Sequence, residues 1–153
     1  MSNADPAIIF PARQDGALHE LGYTQLMTAV QVPPPGTFAT SARWEEAARY
    51  RRISVFVRYT PLLAGGGLVI YPKWHVDGPG IIGQFDDMRI DPATGQSAVD
   101  TILTPLSPGL AAVQWVYSLW NPGGCQWLFL AVSEQVHASP NNGTCDLWVR
   151  AGG

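Results

Sequence analysis

The sequence predicts an all-β fold, an antiparallel β-sandwich of the jelly-roll kind with one short helix. Apolar and polar residues alternate over short runs, and Gly-, Pro- or Asn-containing turn signals separate these runs about every ten residues. Helical segments of the length that a βαβ architecture needs do not recur between the strands. We expect one domain over residues 1–153, with an extended N-terminal segment and a proline-rich arm at residues 33–36.

The pattern predicts roughly eight to ten strands; residues 7–10, 18–26 and 37–40 are short candidates, and eight longer segments define the expected order of elements. They are residues 25–32, 53–60, 68–76, 81–90, 97–104, 109–120, 126–136 and 144–150. In the second of these, the alternation leaves Phe56 and Arg58 on the outer face. The face assigned to the core consists of Ile53, Val55, Val57 and Tyr59.

Three further features refine this order. Residues 41–49 are the helical candidate, with Ser41 as a possible N-cap and Trp44 as a plug for one open end of the core. Pro72 lies within a strand and predicts an edge strand or a bulge, because proline cannot donate to the ladder. Both faces of segment 126–136 are apolar at first, which predicts a central strand covered on both sides.

The chain carries little charge. Charged residues make up 14% of it and the formal net charge is −3, whereas a typical soluble domain has roughly 25% charged residues. A lightly charged surface suits a protein that packs against neighbours, although strands are poor in Lys and Glu in any case. With Lys73 as the single lysine, the composition argues against nucleic acid as a partner.

Neither a secretory leader nor a membrane span is visible. The N-terminus lacks a basic region followed by a long apolar run. No apolar stretch reaches the ~18 residues that a membrane-spanning helix requires. We therefore expect synthesis in the cytoplasm, no visible export route and no membrane partner.

The sequence contains no catalytic or cofactor motif. A nucleophile elbow, a phosphate loop, a dinucleotide fingerprint and a zinc-protease helix are all absent. We predict no catalytic, cofactor-binding or metal-ligating residues, no cofactor and no enzyme activity. Three weaker possibilities remain, namely His75 with Asp77 as a ligand pair, a calcium site, and a disulfide between Cys125 and Cys145 in place of two free thiols. The candidate calcium ligands are Asp86, Asp87, Asp91 and Asp100.

Outward-facing aromatic residues are the remaining signal. Phe56, Trp120 and Trp148 fall on the outer phase of their strands, and Tyr71 is ambiguous. Such rings either stack on sugars, for which the candidates are Tyr71, Trp120 and Trp148, or anchor a protein interface. The interface candidates are Phe56, Arg58, Trp148, Pro33, Pro34 and Pro35. A third possibility is that another layer of the same chain covers these rings.

In general character, above all in residues 53–60 and 68–77, the chain resembles small bacteriophage virion proteins of the capsid-decoration or tail-accessory type. The resemblance implies a non-enzymatic structural protein of the virion that binds a major capsid or tail protein, with a homo-oligomer expected and a trimer favoured. It assigns no functional residue. The alternatives are a carbohydrate-binding or receptor-binding β-sandwich, and a small hydrolase or isomerase on a cupin-like barrel. The last would need His75, His137 and a carboxylate around one metal.

Overall fold

A computed structural model describes residues 18, 20–78, 81–86, 88–90, 93–94, 97–99, 101–122, 125–137 and 142–152; in residues 77–78, 81–86, 88–90 and 97–99 only the backbone is described. The described residues form eleven strands. They are β1 (Thr24–Gln31), β2 (Ala39–Thr40), β3 (Arg52–Thr60), β4 (Leu68–Gly78), β5 (Ile81–Asp86), β6 (Met88–Ile90), β7 (Ser97–Val99), β8 (Ile102–Leu103), β9 (Val113–Trp120), β10 (Trp127–Glu134) and β11 (Thr144–Ala151).

Two antiparallel sheets face each other. The first sheet has the order β1-β11-β3-β9, and the second has the order β2-β10-β4-β5, with β8 pairing with the start of β4. Strands that follow one another along the chain mostly lie in different sheets, and every pairing is antiparallel. Eight strands in these two orders are the double Greek key of a jelly roll, so the predicted fold class is confirmed.

The core lies between the two sheets. The predicted inward residues of β3 are fully buried, which confirms the alternation assigned to this strand. They pack against the inward residues of β4, β10 and β11, of which the largest are Leu68, Ile70, Trp74, Leu128, Leu130 and Leu147. Trp44 is buried in the same core and its backbone pairs with Leu128, so it does fill the interior as predicted.

The predicted helix at residues 41–49 is reduced to one 3-10 turn, Ala47–Arg49. The preceding backbone instead continues along the edge of β10, where the N–H of Trp44 donates to Leu128 at 2.6 Å and the N–H of Ser41 donates to Leu130 at 2.8 Å. A segment this short gains more from pairing with a sheet edge than from two helical turns. Residues 81–90 and 97–104 are each divided into two strands, because β6 and β7 pair only with each other.

Pro72 lies in an internal strand and in an unbroken register with β10, so neither the predicted edge position nor the predicted bulge is found. On one side of β4, residues Leu68 to His75 pair with β10 without a break. On the other side, Val69 and Ile70 pair with β8, and Lys73 onward pairs with β5. Pro72 falls in the gap between these two partners, where the ladder requires no N–H donor on that side.

Both cysteines are buried, and no disulfide joins them. Cys125 precedes β10 in the second sheet and Cys145 lies on β11 in the first, next to the sulfur of Met27 at 3.3 Å. The predicted extended segment before Leu18 lies outside the described residues, as do the side chains of the four aspartates considered for calcium. The described part of the chain contains no helix long and apolar enough to cross a membrane.

Candidate functional site

The predicted interface residues Phe56, Arg58 and Trp148 meet on the outer face of the first sheet. The rings of Phe56 and Trp148 lie edge to face with centroids 5.5 Å apart, and the Arg58 guanidinium lies 5.2 Å over the Trp148 ring. Trp148 is only 1% exposed, because Leu18 and Tyr23 cover it from outside. The expectation that Trp148 offers an exposed ring to a sugar or a partner is therefore wrong, and the cover comes from the chain itself.

Arg58 is also engaged within the chain. Its Nε donates to Oδ2 of Asp146 at 3.1 Å, and the other carboxylate oxygen accepts the N–H of Ala29 at 2.8 Å. Ala29 has a φ of 45°, a left-handed conformation, within a stretch of β1 where the register to β11 shifts. The Asp146 carboxylate thus binds both the irregular part of β1 at Ala29 and the Arg58 guanidinium, which is a structural role.

The proline arm lies elsewhere on the molecule. The N–H of Glu134 donates to the carbonyl of Pro33 at 2.9 Å, and the N–H of Thr37 closes a turn onto Pro34 at 3.1 Å. Pro33 and Pro34 are half-buried and Pro35 is exposed. The arm therefore lies at the end of the sandwich where β10 stops, and the structure does not join it to Phe56 and Arg58.

The outer face of the second sheet carries a row of aromatic rings. Trp127 stacks on His75 with centroids 4.0 Å apart and on Phe129 at 5.7 Å, and Arg43 lies 5.0 Å over the same indole. The stacked rings and the Arg43 guanidinium cover the faces of the Trp127 indole, whereas a sugar needs an open ring face. The predicted cover on both sides of β10 is thus incomplete at Trp127 and Phe129, which are half-buried.

The other two sugar-stacking candidates differ in access. Tyr71 is half-buried, with the edge of Phe38 at 4.9 Å and the Lys73 ammonium 5.5 Å from its ring centroid. Trp120, at the end of β9 on the outer face of the first sheet, is 61% exposed. Of the three rings predicted for sugar stacking, only that of Trp120 is substantially open to solvent.

One end of the sandwich is apolar and exposed. Three connections meet there: residues 61–67 between β3 and β4, residues 104–112 before β9, and residues 135–137 after β10. They carry aliphatic side chains that are 40–60% exposed, which we call the apolar end: Leu62, Leu63, Leu106, Leu110 and Val136. Exposed aliphatic residues grouped in this way are typical of interaction sites.

Hydrogen bonds fix these three connections to each other. The N–H of Ser107 donates to Gly66 at 2.7 Å, and the N–H of Gly65 donates to Ser107 at 2.6 Å. The N–H of Gln135 donates to Gly67 at 2.8 Å, and its side-chain amide donates to the carbonyl of Thr104 at 2.7 Å. The apolar end therefore rests on backbone that is already organised, which lowers the entropic cost of binding a partner.

A buried polar pair lies beneath this end. The hydroxyl of Tyr59 on β3 donates to Oε1 of Glu134 on β10, and Glu134 is 1% exposed. Burial raises the pKa of the Glu134 carboxyl; the hydrogen bonds from Tyr59 and the Gly143 backbone, and the nearby His137, oppose this effect without cancelling it. Gly66 packs against both polar groups so closely that a Cβ there would lie 2.2 Å from the Tyr59 oxygen.

The described residues do not assemble into a metal site. Among the described residues, no three His, Cys, Asp or Glu side chains lie close enough together to hold an ion. His75 pairs with the first residue of β10, and His137 lies three residues beyond its last. At about 3.3 Å per residue, the two histidines are more than ~20 Å apart. His75 and His137 therefore do not meet around one metal, as the hydrolase hypothesis required.

The sequence-based prediction missed the apolar end. The sequence did contain a signal for this surface, namely leucines within connections that are rich in Pro and Gly: Leu62, Leu63, Leu106 and Leu110. The alternation of a strand does not explain apolar side chains in such connections. Comparison with known proteins does not assign the site: no protein-family model matches the sequence, and no curated protein matches it.

Proposed function

We propose that this chain is a non-enzymatic structural subunit of a virion, and that it binds a capsid or tail lattice through its apolar end. The observation that carries the proposal is the group of exposed aliphatic side chains on three mutually bonded connections. Exposed aliphatic side chains grouped at one end are typical of interaction surfaces, and a subunit of an assembly buries them against a neighbour. We expect the partners to be a major capsid or tail protein and further copies of this chain, with a trimer favoured.

The fold and the composition support the same proposal. Jelly rolls occur in viral capsid domains as well as in lectins and cupins, so the fold contributes by analogy only. A charged fraction of 14% reduces repulsion between packed copies. The adjacent proline arm adds Pro35 at the same end, and its restricted backbone loses little entropy on binding.

The location proposed for the contact differs from the one expected from sequence. Trp148 is enclosed and Arg58 is paired with Asp146, so of the three contact residues predicted on the outer face of the first sheet only Phe56 is partly available. The apolar end takes the place of that face, and Pro33, Pro34 and Pro35 remain in the proposed contact. A carbohydrate-binding role with Trp148 as a stacking platform loses its support, and the row at Trp127 does not replace it.

The self-association part is tested by light scattering coupled to size-exclusion chromatography at micromolar concentration. We expect an oligomer, and we expect the double variant Leu62→Ser with Leu110→Ser to shift it toward monomer. The matched control is Leu21→Ser with Val116→Ser, which removes two side chains of similar exposure away from the apolar end. A wild-type monomer at every concentration tested, or equal effects of both double variants, would contradict self-association through this end.

The virion part is tested on particles. In density-gradient-purified particles from cells that carry the gene, we expect mass spectrometry to detect the chain at a fixed ratio to the major capsid or tail protein. The Leu62→Ser with Leu110→Ser variant should be lost from these particles, whereas the control variant is retained. Absence of the wild-type chain from purified particles would overturn the proposed function.

A further inference from the structure

β9, the last strand in the order of the first sheet, carries an aromatic side chain that contacts an arginine of β3. Arg52 on β3 is directly opposite Trp120 on β9, and its guanidinium lies 5.1 Å from the centre of the indole. The same guanidinium donates to the hydroxyl of Ser118 at 3.2 Å. Trp120 nevertheless remains 61% exposed, so the ring face turned away from β3 is left to solvent.

A second arginine, Arg150, lies on β11, the strand on the other side of β3. Arg150 on β11 pairs in register with Ser54, which in turn pairs with Ser118 on β9. Arg150 is exposed and lies 5.8 Å over the ring of Tyr23. Arg52 and Arg150 therefore lie on adjacent strands about 4.8 Å apart, with their guanidinium groups turned toward opposite edges of the sheet, over Trp120 and Tyr23 respectively. A ligand that contacts both must therefore be longer than one sugar ring.

The positive charge of these two arginines is not neutralised within the described residues. The ion pairs there are Arg43 with Glu45 and Arg58 with Asp146, and neither Arg52 nor Arg150 takes part in one. The site therefore presents two cations and one open indole face on a chain whose net charge is −3. We call this group, Arg52, Ser118, Trp120 and Arg150, the arginine–tryptophan patch.

We propose that the arginine–tryptophan patch binds an acidic glycan, a sugar that bears a carboxylate or a sulfate. The C–H groups of a pyranose ring carry partial positive charge and fit the negative face of the Trp120 indole. A guanidinium binds carboxylate or sulfate oxygens through two parallel N–H donors, and exposed Ser118 adds a hydroxyl for a sugar hydroxyl. This binding function is independent of the apolar end and of assembly.

The chemistry favours a glycan over the other anionic polymers. Binding to nucleic acid draws on many phosphate contacts along a basic surface, and this chain has a single lysine and a negative net charge. An acidic peptide could pair with the arginines, but its carboxylates would leave the open indole face unused. A sugar acid is the ligand that uses both the ring and the charges of the patch.

The experiment begins with the full chain on an array of carboxylated, sulfated and neutral glycans. We expect retention of acidic glycans only. Titration calorimetry with the best acidic glycan should then show binding about tenfold weaker for Trp120→Ala, and within about threefold of wild type for Trp120→Phe, which keeps a ring. Arg52→Gln and Arg150→Gln should each weaken binding and lessen its dependence on salt.

Val116→Ala is the matched control, since Val116 lies four residues earlier on the same outer face of β9 and is also exposed. It should leave the affinity unchanged. The proposal is overturned if no acidic glycan is retained, or if Trp120→Ala binds as tightly as wild type. It is also overturned if polyglutamate or oligothymidylate binds as tightly as the glycan and the same variants weaken it equally.

Discussion

The hydroxyl of Tyr59 and the carboxylate of Glu134 meet between the two sheets, directly beneath the apolar end. Burial, together with the hydrogen bond to Glu134, raises the pKa of the Tyr59 phenol, so Tyr59 remains a donor throughout the physiological pH range. Glu134 also binds the proline arm through its backbone N–H. Glu134 thus contacts three parts of the molecule: Tyr59 in the core, the proline arm, and Gly66 in the connection that carries Leu62 and Leu63.

The first prediction concerns the pH dependence of stability. Because the pKa of Glu134 is higher in the folded chain than the ~4.3 of an unfolded one, its contribution to stability is complete below that value and is lost as pH rises through the folded pKa. Glu134→Gln should remove this loss. Relative to wild type, the variant should therefore gain free energy of unfolding between pH 4 and pH 7, by about 1.4 kcal/mol for each unit of raised pKa.

Urea unfolding followed by tryptophan fluorescence at pH 4, 5, 6 and 7 measures this difference. Tyr59→Phe serves as the companion variant, since it removes the donor that lowers the pKa of Glu134 and should make the total loss of stability with rising pH larger and extend it to higher pH. A difference between wild type and Glu134→Gln that stays constant across the four pH values would show that the pKa of Glu134 is not raised.

The second prediction concerns Asp146. Asp146→Ala removes the partner of the Arg58 guanidinium and the acceptor for the Ala29 N–H, and should lower the free energy of unfolding by about 2–3 kcal/mol. Asp146→Asn keeps an acceptor for Ala29 but loses the ion pair, so about 1 kcal/mol is expected. Thermal and urea unfolding provide the comparison. Equal losses for both variants would assign the whole effect to the ion pair and none to the strand irregularity.

The third prediction concerns Phe56. Its ring contacts Trp148 and, edge to face at 6.1 Å, Tyr23, so Phe56→Ser should destabilise the fold by about 1–2 kcal/mol and loosen the cover over Trp148. Increased quenching of tryptophan fluorescence by iodide or acrylamide reports that loosening. Val116→Ser, at the adjacent exposed position of β9, is the control. Unchanged quenching in Phe56→Ser would show that Phe56 does not hold the cover in place.

Local sequence determined the strands and the direction in which their side chains face. The side-chain period of two along a strand does not depend on which partner the strand finds, so Val55, Val57 and Tyr59 could be placed in the core without knowledge of the sheets. The same rule placed Phe56 and Trp148 on the outer face. Turn residues marked most strand ends for an equally local reason, the backbone conformations that Gly, Pro and Asn favour.

Only the tertiary structure decided which of the outward residues are accessible. Trp148 is enclosed because Leu18 and Tyr23, more than a hundred residues earlier, pack onto it, whereas Trp120 lies on an edge strand and stays open. Likewise, Leu62, Leu106 and Val136 form one surface because hydrogen bonds join three distant connections at one end of the sandwich. Alternation fixes the face of a strand on which a side chain lies, but burial depends on contacts between segments far apart in the chain, and those are set by the strand order of the jelly roll.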